Sequence, residues 1–176
     1  MRRRIFLQKI VATSLMGGCL LTGCEEEEGL DSRSIISVGD NCPNFSVTDM
    51  AGVTHTFPVM GKPSLLFFFD INCSDCLQQF PAINDLYQLY GDKVGFLAIA
   101  RGNNAEEVAQ FLEKRQYAFP VAIDETAAIY GKFAESGVPR VYILRNSRVM
   151  YMSDDKTLLH VSVGTGQLES LLGFFQ

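Results

Sequence analysis

Two cysteines one helical turn apart, in Cys73-Ser74-Asp75-Cys76, carry the most specific chemistry in this sequence. They follow the apolar run Ser64-Leu65-Leu66-Phe67-Phe68-Phe69 and open a segment of helical periodicity, so the motif sits at a strand-to-helix turn. A thiol in the first turn of a helix faces unpaired backbone N–H groups and the positive end of the helix dipole, which favour thiolate over thiol. Cys73 is therefore the expected nucleophile. Cys76, one turn on, is the expected resolving thiol, able to attack a mixed disulfide and release the partner. The other chemistries open to the pair are a structural disulfide and a metal site. Zinc would want two further Cys or His ligands, and Cys42, His55 and His160 form no second pair. No metal and no cofactor is expected. Asp75 lies between the cysteines, where its charge opposes thiolate formation at Cys73 and biases the pair toward the reducing end.

The elements that must hold this pair follow from hydrophobic periodicity. A buried strand is expected over residues 64–69 and an amphipathic helix over 73–90, with Leu77, Phe80, Ile83, Leu86, Leu89 and Tyr90 on its apolar face and Pro81 kinking it. A second buried strand is expected over 93–100, and a helix over 105–116 with Asn103 and Asn104 as candidate caps. A short strand over 119–124 and a short helix over 125–133 come next. Two strands, 137–144 and 149–152, form a hairpin around Arg145-Asn146-Ser147-Arg148, and a final helix covers 166–174. Ahead of all these, alternation around Asp49-Met50-Ala51-Gly52 predicts an N-terminal hairpin. The pattern implies an α/β fold, a central mixed sheet with helices on both faces.

The chain has 176 residues, 47% hydrophobic and 11% aromatic, enough for one domain with a real core. Its net charge of −5 hides a segregation: residues 1–23 hold four bases and no acid, leaving 11 bases against 20 acids in the remainder. An acidic body of this kind argues against nucleic acid as a partner. The basic start, an apolar stretch over 10–21 too short to span a bilayer comfortably, and small residues after it have the form of a secretory signal.

Leu21-Thr22-Gly23-Cys24 resembles the lipobox of bacterial lipoproteins, which implies lipidation at Cys24 after removal of residues 1–23. The acidic run at 25–28 and the polar residues after it read as a flexible tether over 24–34, with the folded domain over 35–176. An acidic run after a lipidated cysteine is also similar to the signal that sends some Gram-negative lipoproteins to the outer membrane or cell surface.

From about Gly39 onward the chain resembles the thioredoxin-like fold, in particular the membrane-tethered thiol–disulfide oxidoreductases related to TlpA and ResA. The resemblance rests on the hairpin with Cys42-Pro43-Asn44-Phe45, the strand and CxxC, Phe80-Pro81, Phe119-Pro120-Val121 with Asp124, and Gly137-Val138-Pro139. It implies a redox-active Cys73–Cys76 disulfide, a cis peptide at Pro139 lying against the CxxC, and a Val138 backbone that binds a partner chain. The implied protein is a lipid-anchored monomer facing the periplasm that exchanges disulfides with partner proteins. Asn72 replaces the usual Trp and Asp75 the usual Pro, while Phe67 and Gln79 stand where relatives carry a proton-shuttling acid. Asp70 and Asp75 are the acids near enough to substitute.

Of the remaining residues, Cys42 is expected to be a small buried hydrophobe, the sharper alternative being a third redox thiol that pairs with Cys73. His55 and His160 read as surface or strand residues. Arg140 reads as a solvated strand charge or as a selector of acidic partner segments. Two competing functions use the same fold. A peroxiredoxin-like peroxidase wants a Thr or Ser three residues before the reactive cysteine, where Asp70 stands. A copper-delivery module generally spaces its cysteines as CxxxC with a histidine before the proline hairpin, and His160 lies after it.

Overall fold

The computed structural model describes residues 33–173. The basic leader, Cys24, the acidic run and the last three residues lie outside them. Strands β1 (Phe45–Thr48) and β2 (Thr54–Phe57) form the N-terminal hairpin as a separate two-stranded antiparallel sheet. The main sheet has the order β5-β4-β3-β6-β7. Its centre is β3 (Pro63–Phe69), all seven residues of which are buried, which is why this strand reads as an unbroken apolar run rather than an alternation. On one side β3 pairs in parallel with β4 (Gly95–Arg101), which pairs in parallel with β5 (Val121–Asp124). On the other side it pairs antiparallel with β6 (Arg140–Arg145), followed by β7 (Arg148–Ser153).

Alternate residues of β3 feed two cores. Leu65, Phe67 and Phe69 pack against helices α1 (Ser74–Tyr90), α2 (Ala105–Glu113) and α3 (Val161–Leu172), meeting Phe80, Ile83, Phe111 and Leu168. Leu66 and Phe68 face the hairpin and the N-terminal segment, meeting Cys42, Phe45, Phe57 and Phe133. Among the described residues no α-helix lies in that second core, contrary to the expectation of helices on both faces. The order β5-β4-β3 makes both βαβ crossovers run in one direction, and their shared right hand puts α1 and α2 on the same face.

The helix expected over 125–133 is reduced to one 3₁₀ turn, Tyr130–Lys132. Asp124 is the cause: its Oδ2 accepts from the N–H groups of Ile129 (3.0 Å) and Tyr130 (2.8 Å), and Ala127 takes a φ of +57°, so the chain folds back on its own carboxylate. The last helix starts at Val161, five residues before the expected 166, across Ser162-Val163-Gly164-Thr165, which are weak helix formers. Packing overrides propensity here. A Cβ at Gly164 would lie 2.5 Å from Leu86 Cδ1, so glycine is what lets α3 approach α1. α1 itself runs through Pro81.

The first described residues, Arg33 to Ile35, are already packed on the domain. Ser34 bridges Ala134, Ile35 N–H donates to Phe133 O (2.9 Å), and Glu135 N–H donates to Arg33 O (2.8 Å). The chain then borders both end strands. Gly39 and Cys42 donate to Val149 O (2.8 Å) and Ser147 O (2.6 Å) beside β7, and Met50 donates to Val121 O (2.8 Å) beside β5. Among the described residues no helix is long and apolar enough to cross a membrane.

Candidate active site

The β3-to-α1 turn delivers Cys73 to the helix as its N-cap, with extended backbone angles (φ −90°, ψ 119°). Its sulfur does what a Ser or Asp cap oxygen does elsewhere: Sγ accepts from the Cys76 N–H at 3.2 Å. Cys73 is half-buried, and its Sγ lies 3.3 Å from the Val138 carbonyl oxygen, to which the thiol donates. Cys76, one turn inside, is fully buried. Burial first, and the neighbouring Cys73 next, push the Cys76 thiol well above the ordinary cysteine range. The structure therefore holds one accessible sulfur at the helix N-terminus and a second sulfur shut behind it. Both are thiols in this structure.

The turn before Cys73 is tied down from two sides. Asp70 Oδ1 accepts from the N–H (2.9 Å) and Nδ2 (3.3 Å) of Asn72 and from Asn103 Nδ2 (3.0 Å), while Asp70 O accepts from Cys73 N–H (3.1 Å). Asn103, buried after β4, also accepts from Ile71 N–H at 3.2 Å. Of the two asparagines read as caps, only Asn104 caps α2, accepting from Glu107 N–H at 2.9 Å. Asn103 clamps the active-site turn. Asp75 is half-exposed in the first turn of α1, and its Oδ1 accepts from Gln78 Nε2 at 3.4 Å.

The Val138–Pro139 peptide is cis, and Pro139 is buried. The loop leading to it is held from below. Gly137 O accepts from the Tyr130 hydroxyl (2.7 Å) and Arg140 Nε (3.0 Å), and Ser136 O accepts from Arg140 Nη2 (2.9 Å). Arg140 is fully buried, with Nη1 donating to Ser34 Oγ at 2.6 Å. Neither reading of Arg140 as a solvated charge or a partner selector stands: its guanidinium faces the loop carbonyls and not solvent. At Gly137, where φ is +85°, an added Cβ would meet the Arg33 guanidinium at 2.7 Å, and that guanidinium makes a bidentate pair with Asp155 (3.0 and 2.6 Å).

Phe67 and Gln79 fill their positions with packing and hydrogen bonds. The Phe67 ring meets Phe80 edge-on at 5.2 Å, and Gln79 is buried with both ends of its amide bonded to Leu159. Cys42 is buried in the core on the other face of the sheet from Cys76, with its thiol pushed up to about 11 by burial. It is a core residue and does not approach Cys73. His55, on β2, meets Asp49 Oδ2 at 2.7 Å, and His160 is an exposed N-cap of α3. Among the described residues no three His, Cys, Asp or Glu side chains converge as a metal-ligand set. Sequence reasoning missed the clamping roles of Asn103, Tyr130 and Arg140: Asn103 accepts from Ile71 N–H 32 residues away, and Tyr130 and Arg140 hold the carbonyls of Ser136 and Gly137.

Residues 38–152 match the AhpC/TSA family. Among curated proteins, a thiol–disulfide oxidoreductase ResA of Bacillus cereus is 27% identical over 143 residues, covering 80% of this chain and 78% of the relative. ResA of Geobacillus thermodenitrificans is 27% identical over 120 residues, 66% of this chain and 69% of the relative. Among solved structures, a candidate protein disulfide isomerase from Bacteroides thetaiotaomicron superposes with a TM-score of 0.75 at 22% identity, covering 80% of this chain and 93% of that one. StoA from Bacillus subtilis superposes at 0.64 and 15% identity, over 72% and 96% of the two chains.

Proposed function

The chain belongs to the AhpC/TSA family and is a thiol–disulfide oxidoreductase of thioredoxin-like fold; from that premise we propose that Cys73 exchanges disulfides with partner proteins outside the cytoplasm and that Cys76 resolves the product. The observation that carries this reading is the pairing of unlike sulfurs. Cys73 is half-buried and its Sγ accepts the Cys76 N–H at 3.2 Å, whereas Cys76 is fully buried behind it. The outer sulfur stands reachable at the N-terminus of α1, and burial keeps the inner thiol protonated until it is needed.

In the forward reaction the Cys73 thiolate attacks one sulfur of a partner disulfide. A Cys73–partner bond forms, the partner S–S bond breaks, and the second partner sulfur leaves and takes up a proton. Cys76 then loses its proton and attacks Cys73 Sγ. This forms the Cys73–Cys76 disulfide and frees the partner as a dithiol, so two electrons pass to the partner. Asp75, beside the pair, biases it toward this reducing direction. The Val138 backbone and Pro139 are the platform on which the partner segment rests. Exchange is favoured over peroxide reduction by Asp70, whose carboxylate already accepts from Asn72 and Asn103 and brings no hydroxyl to a peroxide.

The same reading includes cleavage of residues 1–23, lipid at Cys24, a tether over 24–34, and a monomeric domain over 35–176 facing the periplasm, on the outer membrane or cell surface if the acidic run acts as a sorting signal. Its support is the four-residue lipobox match and the charge pattern.

Trapping tests the assignment. Cys76→Ser should accumulate a mixed disulfide on Cys73 that runs as a higher band on non-reducing gels and collapses with dithiothreitol, and Cys73→Ser should reduce no disulfide substrate. A Cys73→Ser protein that keeps its reductase activity overturns the reading.

A further inference from the structure

The end of β4 sets a cation beside the partner platform, and we propose that Arg101 recognises an acidic side chain flanking the cysteine of the partner polypeptide. This rests on the reading that partner segments dock at Val138. Arg101 closes β4 on the face opposite α1, where its guanidinium carbon stands 4.6 Å from the centre of the Tyr130 ring. Tyr130 donates its hydroxyl to Gly137 O at 2.7 Å, and the next residue, Val138, meets Cys73 Sγ at 3.3 Å. One aromatic ring thus separates the guanidinium from the platform.

Three arginines act on Tyr130, and two are committed. Arg33 pairs with Asp155, and Arg140 donates to Gly137, Ser136 and Ser34. Arg101 is different. Among the described residues its side chain makes no hydrogen bond or ion pair, and its Nε is shut from solvent without an acceptor. The acid closest in register, Asp124, turns its Oδ2 to the Ile129 and Tyr130 N–H groups. Arg101 is half-buried with no acceptor for its Nε, so its side chain is not tied to the protein by hydrogen bonds and the part of the guanidinium beyond Nε is left to meet a docking acceptor.

The stacking suits that role. A guanidinium laid on an aromatic face keeps its edge donors free and pre-oriented, and a carboxylate answers that fork with two parallel hydrogen bonds. The surrounding molecule is acidic overall, with 20 acids to 15 bases. Its general field repels an acidic segment, so the Arg101 cation is what distinguishes an acidic partner at this one place.

The test uses disulfide-linked peptides identical except for Glu, Gln or Lys scanned through the positions flanking the cysteine. The full chain in its dithiol form should reduce the best Glu peptide with a kcat/KM about five- to tenfold above its Gln twin, a gap that closes in high salt. Arg101→Gln should bring the Glu peptide down to the level of the Gln peptide and leave the Gln peptide unchanged, and Arg101→Lys should restore part of the preference. Equal rates for Glu and Gln peptides in the unsubstituted protein overturn the proposal, as does an Arg101→Gln variant that loses both equally. If no peptide is reduced at all, the exchange reaction has failed instead. Fluorescence anisotropy of a labelled, cysteine-free Glu peptide then decides the role of Arg101 alone, with weaker binding to Arg101→Gln supporting it and equal binding overturning it.

Discussion

Gln79 holds both polar backbone groups of Leu159: its Nε2 donates to the Leu159 carbonyl at 2.9 Å, and its Oε1 accepts the Leu159 N–H at 2.8 Å. An amide can do both at once, whereas an ionised carboxylate has no donor. The clasp ties the first turns of α1 to the chain entering α3.

Gln79→Glu should therefore destabilise the fold in a pH-dependent way. The introduced carboxyl occupies a site that is 1% exposed, and burial holds its folded pKa above the unfolded value of about 4.3. A group whose folded pKa is raised keeps its stability below the unfolded pKa and loses it as pH rises. Urea midpoints should show a small deficit at pH 4 and a loss of about 2–4 kcal/mol at pH 7. A deficit that is the same at both pH values refutes the clasp.

Native-state alkylation should separate the three thiols of the described domain. With the dithiol protein in iodoacetamide at pH 7–8, peptide mass spectrometry should find Cys73 labelled and Cys42 and Cys76 unlabelled until denaturant is added. Burial excludes the reagent from both and keeps both thiols protonated, Cys42 up to about 11. Labelling of Cys76 at the rate of Cys73 would contradict the order of attack proposed for them.

Asp75→Asn removes a half-exposed charge two residues from the Cys73 sulfur. The thiolate of the reduced form is then less opposed, the dithiol is stabilised, and the disulfide becomes more oxidising. Redox titration against glutathione should move the midpoint by about +10 to +30 mV, the upper end being a tenfold change in equilibrium constant. Solvent screening sets that modest size. A midpoint that stays put or becomes more negative removes Asp75 from the list of tuning residues.

Gly164→Ala tests the approach of α3 to α1. Alanine gains about 1 kcal/mol of helix propensity, yet its Cβ would stand 2.5 Å from Leu86 Cδ1 in a core where Leu86 has no exposure. Thermal melts should show a net loss of about 1–2 kcal/mol. Combined with Leu86→Ala, which opens that space, the two losses should sum to less than their separate values.

Much of this organisation is legible in the residues themselves. The β3 run, the CxxC, the cap at Asn104 and the hairpin around Asn146 are set by local pattern, and the structure places them within a few residues of their expected bounds. The misreadings share a cause. The 125–133 helix gives way to a hydrogen-bonded turn on Asp124, and α3 gains its first turn from packing on Leu86. Arg140 has the composition of a surface charge and the surroundings of a core residue, because its partners are carbonyls at 136 and 137 and a serine at 34. Asn103 looks like half of a capping pair. Its real contacts, Asp70 and Ile71, lie 33 and 32 residues away, and no local period signals them.

The N-terminal segment that borders β7 through Gly39 and Cys42, and the hairpin turn that meets β5 at Met50, have one more consequence. An open sheet edge would template the addition of a partner polypeptide's strand as a sixth strand. With outward-facing groups of both end strands already engaged by its own chain, the sheet offers no bare rim at those points. A visiting segment can be exchanged and released without being knitted into the enzyme.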